Sequence, residues 1–240
     1  MEGYKMRKIF SSEALKLKHS GTKRLLLLIP LVTIFIAFLV GGIQIFSSFS
    51  IYWWEAGFLF LLISLLFLYD FNAEEKAGNF QNVNISSLSW NIRLVKIFLL
   101  FIRLVLSSLI LLMLMYVVSK IYQGIIVIDF FKTSVTLIAV LVSVIWNIPL
   151  LYILSKWINS YVLLAANTFL CLLVAPIFAK TSFWFIFPYS YHYKVVETIL
   201  QIKPSGDMMV SISNNNIIGI ILPIFLSLVL FTFETKNLEV

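Results

Sequence analysis

Apolar runs too long for a soluble core constrain this chain most. They occupy about residues 25–46, 52–70, 97–118, 133–155, 159–179 and 217–233. The first covers 22 residues, Leu25 to Phe46, or about 33 Å at the helical rise, enough to cross the hydrocarbon of a bilayer. The 240 residues are 61% hydrophobic and 12% charged, against roughly 45–50% and 25% in soluble domains. A chain so apolar leaves much of its surface unburied in any single globular core. The predicted class is an all-α polytopic membrane protein with six transmembrane helices and both termini cytoplasmic.

The polar segments between the runs set the orientation. Residues 1–24 carry seven basic residues, and Met6, Ile9, Phe10, Ala14 and Leu17 recur at helical steps beside them. This is the pattern of an amphipathic helix lying in the headgroup layer. With the amino terminus inside, the inner segments hold twelve Lys and Arg and the outer segments five, as the positive-inside rule requires. The first run is longer than a signal-peptide core, and no small-residue cleavage site follows Gly42, so it reads as a retained span. Ser47–Glu55 reads as an outer link bearing an aromatic belt, Tyr52, Trp53 and Trp54. The second span is short and recruits Ile51–Trp54 or tilts little. Arg103 falls two turns inside the third span, where it snorkels towards Lys96 or faces a polar interior. Pro149 interrupts the fourth span, and the fifth carries Asn167 near its middle. Lys180–Asn216 is aromatic and apolar enough to form a re-entrant or amphipathic segment between helices five and six.

One polar interval differs from the rest. Asp70 to Lys96 is too long for a tight turn and too short for a domain, and it carries a dense charge cluster on the inner side. It reads as a loop that touches something outside the bilayer. Reactive constellations are lacking elsewhere. The chain has no HExxH and no Walker A pattern, and its histidines, His19 and His192, fall on opposite sides of the membrane. His192 reads as an interfacial polar residue, and Cys171, the one cysteine, as a small buried hydrophobe. Glu74-Glu75 lacks the arginine that paired-glutamate membrane proteases place four residues after the pair, because Asn79 stands there. No catalytic, cofactor-binding or metal site is expected, and nucleic acid is an unsuitable partner because the basic residues flank apolar runs.

The interval also carries a resemblance. Glu75-Lys76-Ala77-Gly78-Asn79-Phe80, then Ser86-Ser87, Arg93 and Lys96 entering a span, resembles the cytoplasmic loop of ABC-2 type transporter permeases. That family has six spans, both ends inside, an amino-terminal elbow helix (residues 1–24 here) and a re-entrant segment before the last span. Within it the lantibiotic self-immunity permease subunits look closer. Trp184, Pro188-Tyr189-Ser190 and Pro204-Ser205-Gly206 are similar to their W…PYS…PNG pattern, and Ser12-Glu13-Ala14-Leu15-Lys16-Leu17-Lys18 and Trp53-Trp54 fit as well. Ser205 departs from the usual asparagine, although serine also serves a turn before glycine.

The resemblance implies a single transmembrane domain over 1–240 in the bacterial cell membrane. It implies a coupling helix within Glu74 to Ile85 that docks on a cytoplasmic ABC ATPase, with Glu74, Glu75, Lys76, Gly78 and Phe80 as contacts and Arg93 and Lys96 as anchors at the headgroups. ATP and Mg would be held by that ATPase, two copies of which would serve a pair of permeases, the second a different related subunit. The implied cargo is an amphipathic lantibiotic peptide removed from the membrane. Trp53, Trp54, Trp184 and Tyr189 read either as cargo contacts or as a plain interfacial belt, and Asn147 and Asn167 as a polar interface between spans or subunits. Export of another antibiotic, a lipid or a different peptide, or a scaffold that only recruits a partner, stand beside this expectation.

Overall fold

The computed structural model describes residues 2–18, 21–77, 89–208 and 218–236. Helix α1 spans Glu2–Lys18, α2 Thr22–Gly41, α3 Phe46–Lys76, α4 Ser89–Ile121, α5 Phe130–Val144 and α6 Asn147–Leu154. Helix α7 spans Ser160–Ala179, α8 Tyr191–Leu200 and α9 Ile218–Lys236. No strand occurs among the described residues, only an isolated antiparallel bridge between Ile202 and Met208. Five helical stretches are long and apolar enough to cross a membrane: α2, α3, α4, α5 with α6, and α7. The run expected as a sixth span corresponds to the shorter apolar stretch Ile218–Phe233 of α9.

Helix α3 is the axis of the bundle. Its apolar window is 72% buried, against 28% for both α2 and α7. Phe46, Ile51, Leu59, Phe60, Leu62, Ile63, Leu66 and Phe67 lie on all sides of it and are almost wholly enclosed, as a helix apolar all round requires. Helices α2, α4, α6 and α7 surround it, and α2, α4 and α7 keep an outward apolar face, with residues such as Phe35, Leu109 and Ile177 exposed. That is the distribution expected when lipid, not water, is the solvent.

Two expectations are corrected here. Ser47–Glu55 is not an outer link. It is helical from Phe46 and runs on into α3, so the turn after α2 is confined to 42–45, where Gly42 adopts φ +60. The apolar character of Phe46, Phe49, Ile51 and Trp54 continues the helix through this stretch, and Ser48 and Ser50 return their hydroxyls to backbone carbonyls three and four residues back. Likewise the polar interval is helical up to Lys76 and again from Ser89, so Asp70 and Lys96 stand on helices and not in a loop.

The fourth span does break as expected. Helix α5 ends at Val144, and Asn147 opens α6 two residues before Pro149. The side chain of Asn147 is turned into a buried network. Its Nδ2 donates to Asn167 Oδ1 at 2.8 Å, Asn167 Nδ2 donates to Ser64 Oγ at 2.7 Å, and Tyr189 Oη donates to Asn167 Oδ1 at 2.7 Å. Four elements are thus tied at mid-bundle.

A candidate functional site at the base of the bundle

Asp70 and Glu74 are one turn apart near the end of α3, and Lys96 lies two turns into α4. The four-residue spacing puts both carboxylates on one helix face, and α4 brings the ammonium to them. Lys96 Nζ donates to Asp70 Oδ1 at 2.8 Å and Oδ2 at 2.9 Å, and to Glu74 Oε1 at 2.8 Å. It lies 3.0 Å from Glu13 Oε2 of α1. Lys16, one turn beyond Glu13, bridges Glu13 and Glu74 at 2.8 Å each. Tyr152 of α6 donates its phenol to Asp70 Oδ2 at 2.6 Å. Glu13, Asp70, Glu74 and Lys96 are each under 5% exposed.

Lys96 ties α1, α3 and α4 together, and the Tyr152 hydrogen bond to Asp70 adds α6. Three carboxylates with ligand atoms within 4.8 Å of one another have the donor set for a metal ion, but the Lys96 ammonium lies 2.8–3.0 Å from all three and stands where a metal would. Burial pulls the Lys16 pKa down, yet its hydrogen bonds to Glu13 and Glu74 outweigh that and hold it above the ordinary 10.5. Lys16 therefore stabilises the joint fully below that value and releases it only as alkaline pH passes its raised pKa.

Arg93 and Lys96, expected as headgroup anchors, are turned into the protein. Both are buried, at 7% and 3% exposure. The apolar stripe of α1 explains this, because Met6, Ile9 and Ala14 pack on Val95 and Leu99 and close α1 over the base of α4. Glu74, expected on a polar rim, is likewise enclosed. Arg103 is half-buried and reaches the start of α2. Its Nη1 donates to Thr22 Oγ1 of α2 at 2.6 Å. The spacings Asp70/Glu74 and Glu13/Lys16 were visible in the sequence, but nothing local tied them together across 58 residues.

Glu75 and Lys76 stay exposed and border a cavity of about 480 Å³ with Phe71, Asn72 and the turn 155–161 between α6 and α7. Gly78 and Phe80, with the rest of 78–88, lie outside the described residues. On the other side of the bundle Trp54 and Tyr189 are buried, Trp53 and Trp184 half-buried. Trp54 and Tyr189 thus belong to the core and not to an interfacial belt; Tyr189 packs at a tilt against Phe60 at 5.4 Å and edge-on against Trp146 at 5.0 Å. His192, expected at the interface, is wholly enclosed against Phe60. Asn147 and Asn167 do join spans, as expected of intramembrane amides.

No family model, curated protein or solved structure matches the chain.

Proposed function

We propose that the chain is the permease subunit of an ATP-driven exporter of the ABC-2 type, with six spans and both termini in the cytoplasm. Its cargo class is a lantibiotic peptide that it removes from the membrane. The observation that carries the reading is the ionic joint. The polar interval whose pattern resembles a coupling loop is rooted in α3 and α4, and Lys96 clamps those roots to each other and to α1. A push delivered to residues 77–88 by a cytoplasmic ATPase would therefore reach three helices at once and not dissipate in a loose loop. The exposed pair Glu75 and Lys76, beside a cavity shared with the 155–161 turn, offers that partner a polar rim and a recess.

The test is co-expression with an ABC ATPase and a second permease encoded beside it. The reconstituted complex is expected to co-purify and to hydrolyse ATP faster when a lantibiotic is added. Hydrolysis coupled to the permease but indifferent to lantibiotics would redirect the cargo to another antibiotic, a lipid or a different peptide. A chain that never co-purifies with an ATPase would be a scaffold.

A further inference from the structure

Two π turns face each other in the bundle, Trp54–Phe58 in α3 and Leu170–Val174 in α7. A π turn takes one backbone carbonyl out of the regular ladder and re-aims the neighbouring side chains, which is why such turns gather at functional sites. Here each turn has a carbonyl that accepts from a side chain. Cys171 Sγ donates to Glu55 O at 3.6 Å, and Tyr193 Oη donates to Cys171 O at 3.3 Å. Gly57 of one turn faces Leu172 of the other at ordinary contact distance.

Glu55 occupies the α3 turn, and it is 1% exposed. Its Oε2 has no hydrogen-bond partner among the described residues, and neither has Nδ1 of His192, which is 0% exposed. His192 Nε2 lies 3.6 Å from Cys171 Sγ. The groups that face Glu55 are Tyr52 on its own helix, Cys171 on α7, and Tyr193 and Glu197 on α8. Glu197 is the other acid, and Lys194 already holds it at 2.7 Å. Asp207, beyond α8, bears on Tyr52. Helix α2 brings only Lys23 and Arg24, both at its opposite end. Glu55 thus has burial without a counter-ion, the reverse of what Lys96 enjoys. An ionised carboxylate in that setting is strongly disfavoured, and the tight enclosure admits only a very small occupant.

We propose that the paired π turns enclose a proton-binding site whose acid is Glu55. In the closed bundle Glu55 is the neutral carboxylic acid. When α3 and α7 part and water enters, its O–H bond breaks, the electron pair stays on the carboxylate, and the proton leaves to water. The inference rests on the burial and the π-turn geometry and does not require the cargo assigned above.

The full chain, made by cell-free expression with 13C-glutamate and placed in phosphatidylcholine nanodiscs, tests this by infrared spectroscopy at neutral pH. A protonated-carboxyl C=O band carrying the isotope shift is expected, and it should vanish in Glu55→Gln but survive in Glu197→Gln. Glu55→Asp, which keeps an acid, should retain a protonated band without the isotope shift, and it decides the matter if Glu55→Gln does not fold. Absence of the band from the wild-type chain, or its persistence with the isotope shift in either Glu55 variant, would overturn the proposal.

Discussion

Lys96 and Glu55 are both buried ionisable residues of the same bundle, yet their surroundings are opposite. Lys96 is ringed by three carboxylates, and a phenol satisfies one of these in turn. Glu55 has one oxygen with no partner among the described residues, and the charged group that bears on it is another acid. A buried charge with saturated partners is a fastener, since removing any partner strands the others. A buried acid without partners contributes little to holding the fold and is the kind of residue retained for what it does.

That contrast can be broken by mutation. Lys96→Met should have the largest effect, because it leaves Asp70, Glu74 and Glu13 buried without their shared cation. A loss of about 3–5 kcal/mol is expected, read as a collapse of folded yield and melting temperature in detergent. Adding Asp70→Asn and Glu74→Gln to it should recover part of that loss. A single variant that melts like the wild type would show that the joint fastens nothing. Next comes Asn167→Leu, which strands the amide of Asn147 and the hydroxyl of Tyr189 at mid-bundle, while Ser64 keeps its bond to the Phe60 carbonyl. It should cost about 1–2 kcal/mol in the same melts and supplies an uncharged reference. Tyr152→Phe removes one hydrogen bond to Asp70 and leaves the Lys96 contacts in place, so about 1 kcal/mol is expected. Glu55→Gln should be the mildest, within about 0.5 kcal/mol of the wild type. A Glu55→Gln loss as large as that of Lys96→Met would erase the distinction.

The two regions also differ in how far they could be read in advance. Hydropathy located the long helices because an apolar run in lipid has no alternative to satisfying its own backbone. It misplaced their ends. A helix leaving the bilayer into an ion-paired joint has the same polar composition as a loop, so Asp70 and Lys96 looked like loop residues and Lys96 like an anchor. Only the docking of α1 on α4, which places Glu13 beside Glu74, distinguishes the two. Before Glu55 the aromatic cluster Tyr52, Trp53 and Trp54 read as an interfacial belt on an outer link, whereas the stretch is a helix whose serine hydroxyls turn back on the backbone. Asn147 and Asn167 were legible because polar amides inside apolar runs seek each other. Gly78 and Phe80, central to the resemblance, lie outside the described residues, so the proposed coupling contact depends on the ATPase experiment.

The unbroken course of α3 has a mechanical consequence. Glu55 and Asp70 sit on one rod, about 22 Å apart at the helical rise, and the joint grips the rod near one end. A tilt of roughly 10° about that grip would swing Glu55 by about 4 Å over such an arm, more than the spacing that brings the thiol of Cys171 to its carbonyl. A small rotation at the base would thus be magnified into the parting of the two π turns, with the amino-terminal helix acting as the fulcrum's clamp.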